Sequence, residues 1–280
     1  MSKGLSDSTT FRAACLQVSA SEDMQANITA VSDLARAAVT DGADMVFTPE
    51  NVSMMTWGRR STIDKAFSEA EHPALTAFQD LAVKHGIWVH VGSLTVLIDG
   101  PRVANRCFVL SPTGEITARY DKIHMFDVNL GEGERYAEST TFRPGEKAVV
   151  VDLPWGRLGL TICYDLRFPH LYRHLAQAGA DIIAVPSAFT QPTGEAHWHV
   201  LQRARAIENA VYIIAPAQTG VHANDRKTYG HSVVIDPWGH VLAEAGTEPG
   251  ILLADIDVAK VAKTRGQLPS LANDRTFEPA

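Results

Sequence analysis

The feature that most constrains the fold of this chain is an internal repeat, because the second half restates the order of elements and the local chemistry of the first. The stretch "DGADMVFTPE", which ends at Glu50, matches "AGADIIAVPS", which ends at Ser187. Further along, "FVLSPTGEITA" matches "VVIDPWGHVLA" in the same order. Each half reads as helices alternating with buried strands and closing on a hairpin. The repeat is far longer than a solenoid unit and predicts two pseudo-equivalent α/β halves.

Two such halves predict a layered architecture. Strands such as "DIIAVPS" are apolar on both faces, which a sheet covered on both sides requires. Each half would supply one sheet with helices on its outer face, and two sheets packed face to face give a four-layer α-β-β-α sandwich. No linker composition separates the halves, so one α/β domain is expected over residues 11–265. Residues 1–10 are expected to be flexible, and the tail 266–280 to contact another subunit.

Composition bears on several classes of function. The net charge of -7 and the lack of a Lys/Arg-rich run argue against nucleic-acid binding. No apolar stretch approaches the roughly 20 residues of a membrane span, and the polar start "MSKGLSDSTT" lacks the apolar core of a signal peptide. Cys15, Cys107 and Cys163 are odd in number and far apart, which argues against a disulfide framework. We therefore expect a cytoplasmic protein with reduced thiols, in which Cys15 and Cys107 pack in the core.

Three residues that can carry chemistry follow predicted strands. Glu50 ends the almost wholly apolar "DMVFTPE", where burial is expected to raise its pKa toward a value useful for proton transfer. Lys122, in "ARYDKIHMFD", can hold a fixed positive charge against a developing oxyanion. Cys163 ends the segment "GRLGLTIC", at the end of a predicted strand, which is where ligands bind in many α/β folds. Taken singly, Glu50 is typical of a capping carboxylate, Lys122 of an exposed loop lysine and Cys163 of a small buried apolar residue. Together, the three side chains suffice for acyl transfer from an amide.

Together with their neighbours, these residues resemble a known family. The segments "FTPEN", "YDKIHMFD" and "GLTICYDLRFP" are similar, in order and in wide separation, to the three signature blocks of the nitrilase superfamily, the carbon–nitrogen hydrolases. The resemblance runs from about Phe11 to Asp257. It implies the four-layer nitrilase fold and a linear amide hydrolysed through a cysteine thioester, without a metal or organic cofactor. By resemblance, Glu50 is the general base and acid, Lys122 the oxyanion stabiliser and Cys163 the nucleophile.

The resemblance also suggests residues that would support these three. Many members carry a second glutamate in the loop after the lysine, and Glu138 in "RYAESTTF" lies at that place, where the resemblance implies a catalytic residue that helps Glu50 to activate water. Glu132 and Glu134 lie closer to the lysine and rank below it. The backbone N–H of Tyr164 would join Lys122 in an oxyanion hole. The residues expected to fix this turn and to shape the pocket wall are Asp165, Arg167 and Pro169.

The flanking segments narrow the substrate by resemblance. "PTGEAHW" and "YGHS" are similar to the branch that contains the deaminated glutathione amidases and the ω-amidases, and more so to the former. Deaminated glutathione would be cleaved to 2-oxoglutarate and cysteinylglycine; the alternatives are 2-oxoglutaramate and another small carboxylated amide or carbamoyl compound. The acyl carboxylate calls for a cation, for which Arg167 is the first candidate and Arg173 the second. Phe189 and Thr193 are expected in the pocket, the Gly/Glu-rich loop 129–138 at its mouth, and a homodimer as the minimum unit.

The sequence fits several other functions less well. His124 or His170 could in principle pair with Cys163, but no signature of a cysteine–histidine hydrolase surrounds the cysteine. His197 and His199 suggest zinc, yet residues i and i+2 on a helix point to different faces and cannot easily share one metal. "GEGERY" lacks the third glycine of a dinucleotide fingerprint, and no G-x-S-x-G elbow occurs. A catalytically silent scaffold remains the non-enzymatic alternative.

Overall fold

A computed structural model of the chain describes residues 8–131 and 135–278. The helices in the described part of the chain are α1 (Met24–Thr40), α2 (Arg59–Asp64), α3 (Pro73–His85), α4 (Pro169–Gln177), α5 (Gln191–Asn209) and α6 (Ala259–Gln267). The strands of the first half are β1 (Thr10–Gln17), β2 (Met45–Phe47), β3 (Phe67–Ser68), β4 (Trp88–Leu97), β5 (Val103–Leu110), β6 (Ile116–Asp121), β7 (Asp127–Asn129) and β8 (Arg135–Ala137). Those of the second half are β9 (Val149–Leu153), β10 (Gly156–Leu160), β11 (Ile182–Ala184), β12 (Tyr212–Ala215), β13 (Thr219–Val221), β14 (Lys227–Tyr229), β15 (Val233–Ile235), β16 (Val241–Glu244) and β17 (Gly250–Asp257).

The two main sheets have the same strand pattern. The first has the order β17-β1-β2-β4-β5-β6, with β3 paired to β4, and the second, read in the matching direction, is β9-β10-β11-β12-β15-β16. In each, three parallel strands are flanked by one antiparallel strand and by a closing antiparallel hairpin. The predicted repeat is thus present in the topology. One strand departs from the prediction that each half builds its own sheet, because the late β17 completes the first sheet beside β1.

Alternating side chains divide the first sheet between two cores. Ala13 and Cys15 of β1 belong to the core shared with the second sheet. Ala14 and Leu16 face the opposite way and pack with α1 and α3. This alternation follows from the two-residue period of a strand, and both faces are apolar because both are covered. Helices α4 and α5 cover the second sheet, which confirms the four-layer α-β-β-α sandwich.

The helix boundaries have local causes in the sequence. Asp23 caps α1 by accepting a hydrogen bond from the N–H of Ala26 at 3.0 Å. Helix α3 starts at Pro73, whose fixed φ suits the first turn, and ends at His85, after which Gly86 takes a left-handed φ of 64°. These local signals set the start of α1 and both ends of α3.

The exits of the parallel strands bring the two halves together. The turns after β2 and after β11 meet at Gly92, where any side chain would overlap the Thr48 carbonyl oxygen and the ring of Pro186. The backbone N–H of Cys163, which follows β10, donates to the Pro186 carbonyl at 2.9 Å. Strand exits from both sheets therefore share one rim, as the carboxyl ends of parallel strands do in α/β folds.

Elements outside the predicted pattern lie mainly near this rim or at the C-terminus. Helix α2 and the hairpins β7–β8 and β13–β14 border the rim. Helix α6 continues to Gln267, and the tail beyond it packs on the same chain, where the Ser270 carbonyl accepts from Arg173 Nη2 at 2.7 Å. Contact of the tail with another subunit stays a prediction, and residues 1–7 of the expected flexible N-terminus lie outside the described residues. Within the ranges described, no helix is long and apolar enough to cross a membrane.

Candidate active site

Cys163 lies in a backbone conformation that few residues of its type adopt. It opens the 3-10 turn Cys163–Arg167 directly after the exit of β10. Its φ of 47° is in the left-handed region, where a non-glycine side chain is disfavoured. Strain of this kind persists only where surrounding contacts enforce it, and it concentrates at functional sites.

Asp165 supplies the contacts that hold this turn. The side chain is fully buried and accepts hydrogen bonds from the backbone N–H of Ile162 at 2.8 Å and the Tyr120 hydroxyl at 2.7 Å. It also accepts from the backbone N–H of His124 at 3.0 Å and lies 2.7 Å from His124 Nδ1. Four contacts on one carboxylate fix the loop after β6 against the cysteine turn, so the expected role of Asp165 in the turn agrees with its contacts.

Arg205 supports the same turn from α5 and was not found from the sequence. Its Nε and Nη2 both donate to the Leu166 carbonyl, at 3.0 and 2.7 Å, and its guanidinium lies over the ring of Tyr172. In the sequence, Arg205 lies inside the helical segment "LQRARAIEN", where it looks like an ordinary surface arginine. Its burial depends on the packing of α5 against the turn, and the sequence does not display that packing.

Glu50 lies at the centre of the buried polar cluster. Its Oε1 accepts from Lys122 Nζ at 2.8 Å and from Asn105 Nδ2 at 3.0 Å, and its Oε2 accepts from the N–H of Ala188 at 3.0 Å. Ala188 follows β11, so Glu50 from the first half is anchored by the matching exit of the second half. The Cys163 thiol is close enough to Glu50 for each to shift the pKa of the other.

Lys122 is held between two carboxylates. Besides its contact with Glu50, its Nζ donates to both carboxylate oxygens of Glu138 at 3.0 Å, and its side chain is only 2% exposed. Glu138 Oε2 in turn accepts from the N–H of Phe126 at 2.6 Å. Of the three glutamates considered for this loop, Glu138 is in the cluster, while Glu132 and Glu134 lie outside the described residues.

The electrostatics of the cluster define its resting charges. Burial and the nearby Glu50 charge raise the pKa of the Cys163 thiol well above its ordinary value. Burial alone would lower the pKa of Lys122, but the carboxylates of Glu138 and Glu50 reverse that and raise it. Cys163 therefore rests as a neutral thiol and Lys122 as an ammonium.

The expectation that Glu50 has a raised pKa is wrong in sign. Burial does push the pKa of Glu50 upward, but the charge and hydrogen bond of Lys122, with Cys163, outweigh it and bring the pKa below the ordinary 4.5. Glu50 is thus ionised at neutral pH and can accept a proton. The prediction considered the burial expected from the apolar strand before Glu50. It did not include the charge of Lys122, which lies 72 positions away in the sequence.

The cluster forms one wall of a cavity of about 320 Å³. The four residues predicted to bind substrate all line it: Tyr164, Arg167, Phe189 and Thr193. Arg167 lies 5.7 Å from the ring centroid of Phe189 and 3.2 Å, at Nη2, from His197 Nδ1. Arg173, the second candidate cation, is not among the residues that line this cavity, and its guanidinium donates instead to the Glu208 and Ser270 carbonyls.

Two further residues of the site, one in the buried cluster and one in the cavity wall, escaped sequence reasoning. Asn105 in β5 donates to Glu50, and the signal was a polar residue within the apolar "VANRCFVL". Arg226 reaches the cavity from the turn before β14, and its Nη2 donates to the Ala188 carbonyl at 2.7 Å. Nothing near Arg226 in the sequence links it to the three signature blocks.

The histidines have other partners. His124 is bound to Asp165 and stacks on Phe168 with ring centroids 3.5 Å apart, and it does not line the cavity that Cys163 borders. His170 packs edge-on against His124.

The "HWH" histidines diverge, as predicted for positions i and i+2. His197 approaches Arg167, whereas His199 Nε2 lies 2.9 Å from Glu244 Oε1, which also lies 3.0 Å from His231 Nδ1. Donor atoms of His199, His231 and Glu244 all lie within 4.8 Å of one another, a set that could hold a divalent ion. This trio was not predicted, and it lies apart from the cysteine cavity.

Comparison with known proteins places the chain in a family. The family model described as carbon-nitrogen hydrolase matches residues 12–266. The chain belongs to this family. It is thus a hydrolase that acts on carbon–nitrogen bonds other than peptide bonds, and the predicted family and reaction class are confirmed.

Its relatives include enzymes of both branches considered above. The chain is 41% identical over 266 residues to a deaminated glutathione amidase of Synechocystis sp. (strain PCC 6803 / GT-S), covering 93% of this chain and 97% of that protein. It is 36% identical over 266 residues to an omega-amidase of Mus musculus, covering 95% of each.

Solved structures agree with the architecture. The C. elegans NitFhit protein matches with a TM-score of 0.90 and 36% identity over 96% of this chain, which spans 66% of that longer chain. A mutant amidase from Nesterenkonia sp. AN1 matches with a TM-score of 0.79 and 27% identity, over 95% of this chain and 94% of that one. That structure contains the acetamide moiety of fluoroacetamide added covalently at the active-site cysteine.

Proposed function

We propose that this carbon–nitrogen hydrolase cleaves a linear amide through a thioester on Cys163, with Glu50 as general base and acid and Lys122 as oxyanion stabiliser. The observation that carries the proposal is the buried cluster in which Cys163, Glu50 and Lys122 share one cavity wall. The covalent adduct on the cysteine of the Nesterenkonia amidase supports the same role for Cys163.

Acylation follows from the resting charges. The raised pKa of Cys163 means that little free thiolate exists at neutral pH, so the thiol needs a base as it attacks. Glu50, ionised and beside the thiol, accepts that proton while sulfur bonds to the amide carbon. The carbonyl oxygen becomes an oxyanion facing Lys122 Nζ and the N–H of Tyr164. Glu50 then returns its proton to the amine nitrogen, the carbon–nitrogen bond breaks, and a thioester remains.

Deacylation reverses these roles with water as nucleophile. Water gives a proton to Glu50 as its oxygen bonds to the thioester carbon, and collapse expels the Cys163 sulfur, which regains the proton. Glu138 touches Lys122 through both oxygens, so its role is to fix the ammonium where the oxyanion forms. Glu138 is a positioning residue in this account.

The favoured substrate is deaminated glutathione, giving 2-oxoglutarate and cysteinylglycine. The 41% identity to a deaminated glutathione amidase over nearly the whole chain supports it. The acyl part carries a carboxylate, and Arg167 offers its guanidinium on the cavity wall beside Phe189 and Thr193. The second candidate is 2-oxoglutaramate, supported by the 36% identity to an omega-amidase.

A side-by-side assay separates these candidates. Purified enzyme is given deaminated glutathione or 2-oxoglutaramate, and cysteinylglycine or ammonia release is measured. We expect a kcat/KM at least ten-fold higher for deaminated glutathione, with both activities abolished in Cys163→Ala. A preference for 2-oxoglutaramate reassigns the protein as an ω-amidase, and inactivity on both refutes the substrate. Turnover that survives Cys163→Ala refutes the mechanism, and a wild type that turns over no amide supports the silent scaffold.

Two further properties belong to the proposal. We expect a cytoplasmic enzyme, because its thiol must stay reduced. We also expect at least a homodimer, in which the C-terminal tail contacts the neighbouring subunit. Light scattering that gives a monomer mass at micromolar concentration would contradict the dimer.

A further inference from the structure

A second chamber adjoins the cavity that contains Cys163. Its volume is about 440 Å³, and it shares four lining residues with the inner cavity: Trp57, Arg135, Tyr136 and Arg226. Arg167, Phe189 and Thr193, which would hold the acyl group, line the inner cavity and not the outer chamber. A substrate attacked at Cys163 could therefore place its acyl part in one chamber and its amine part in the other.

Arg226 stands at the junction of the two chambers. Its Nη2 donates to the carbonyl of Ala188, whose N–H donates to Glu50, so a single residue separates the guanidinium from the proposed base. The charge of Arg226 also contributes to the lowered pKa of Glu50. The guanidinium also lies 5.4 Å from the ring centroid of Tyr136.

The guanidinium of Arg226 is incompletely satisfied. Its Nε is buried and has no hydrogen-bond partner within the part of the chain that the structure describes. A buried donor without a partner loses its hydration and gains no hydrogen bond in return, so it is seldom kept without a use. Asn224 and Asp225, directly before it, both adopt left-handed φ values, 58° and 54°. Asparagine and aspartate are the non-glycine residues that adopt this region most readily, so the two residues suit the tight turn that precedes Arg226.

Among the residues that the structure describes, the outer chamber is lined by three positive side chains and two negative ones. Arg135, Arg226 and Lys227 line it, against Glu195 and Asp225. Glu195 is also engaged on the helix surface, where its Oε1 accepts from Gln191 Nε2 at 3.0 Å. The chamber therefore suits an anion with a planar acceptor pair, which a carboxylate offers to an arginine.

We propose that the outer chamber binds the terminal carboxylate of the leaving amine, with Arg226 as its principal partner. The inference rests on the proposed function and narrows it to amides whose amine part is a short peptide ending in a free carboxylate. Ammonia, the amine released from 2-oxoglutaramate, cannot use this site. The chamber would thus distinguish the two candidate substrates.

The test compares substrates that differ only at that carboxylate. Deaminated glutathione, its C-terminal amide and 2-oxoglutaramate are assayed with wild type, Arg226→Gln and Arg226→Lys. Arg36→Gln, on the outer helix α1 and 58% exposed, is the matched charge control. We expect Arg226→Gln to lower kcat/KM for deaminated glutathione by about 10- to 100-fold, the range for a lost charged hydrogen bond. The loss should be at least ten-fold smaller for the C-terminal amide and for 2-oxoglutaramate than for deaminated glutathione, and Arg226→Lys should restore part of the loss on deaminated glutathione.

Other outcomes overturn the inference. An equal loss of kcat/KM on all three substrates would show that Arg226 acts on Glu50 or on the acyl group. If Arg226→Gln still prefers the substrate with the free carboxylate as strongly as wild type does, Arg226 does not recognise that carboxylate. If wild type hydrolyses none of the three, the proposed function fails. In that case, calorimetry with the Cys163→Ala variant still tests the carboxylate site. Deaminated glutathione must bind this variant at least ten-fold more tightly than its C-terminal amide does. The double variant Cys163→Ala with Arg226→Gln must lose that difference in affinity. Equal affinities would refute the site.

Discussion

Asp165 provides the sharpest test of how the cysteine turn is held, through the variant Asp165→Asn. The buried carboxylate accepts from Ile162 N–H and Tyr120 hydroxyl on one oxygen and from His124 N–H on the other, where His124 Nδ1 also lies. An asparagine has one acceptor and one donor group in the same space. The hydroxyl and the imidazole can reverse their roles, but a backbone N–H cannot. Whichever way the amide points, one backbone N–H of Ile162 or His124 is left facing a donor.

The magnitude follows from that count. One buried unpaired N–H costs about 1–3 kcal/mol, and the surviving bonds lose their charge assistance, so we expect unfolding free energy to fall by about 2–4 kcal/mol. Tyr120→Phe removes one donor and leaves three contacts, so it should cost only about 1 kcal/mol. Displacing the turn by about 1 Å should also lower kcat about 100-fold. Urea unfolding and amide turnover measure the two effects. Asp165→Asn within 0.5 kcal/mol of wild type, or no more costly than Tyr120→Phe, would refute the reasoning.

Four other predictions concern the site directly. Glu50→Gln should lower kcat by about 10²- to 10⁴-fold, because the general base is lost. It should also lower the pKa of the Cys163 thiol, because the carboxylate charge that raises this pKa is gone. Amide turnover and thiol absorbance against pH measure the two effects, and a near-wild-type kcat would contradict the role of Glu50 as general base. Because the pKa of Glu50 lies below 4.5, its base form persists as pH falls from 7 toward 4.5, so kcat/KM should stay flat there and drop only below; an acid limb centred near 6 contradicts this. Arg167→Met should raise KM for carboxylated acyl groups about 10-fold or more, whereas a neutral acyl analogue should be unaffected. Iodoacetamide should label Cys163 in the native protein and spare the fully buried Cys15 and Cys107 until urea is added, as peptide mass mapping would reveal.

The sequence was most informative where the chemistry is local or repeated. Apolar strands matching between the halves were enough to predict both sheets and their helices, because alternation and burial act on neighbouring residues. Strand β17 was missed as a member of the first sheet, since its partner β1 lies at the opposite end of the chain. No local pattern encodes a pairing of that kind.

The same limit applies to the site. Glu50, Lys122 and Cys163 were found because each follows a strand within a distinctive block. The sign of the pKa shift at Glu50 was not predicted, because it depends on Lys122, which belongs to a different part of the fold. Arg226 comes from a turn with no motif of its own, and its place beside Ala188 exists only after the two halves pack.

The central claim is that Cys163 forms a covalent acyl-enzyme. The most direct measurement is intact and peptide mass spectrometry of enzyme quenched with acid during turnover of deaminated glutathione. The account predicts a mass increase equal to the 2-oxoglutaryl group, located on the peptide that contains Cys163, lost on alkaline hydrolysis and absent in Cys163→Ala. Steady turnover with no adduct at any quench time, together with product formation by Cys163→Ala, would contradict it.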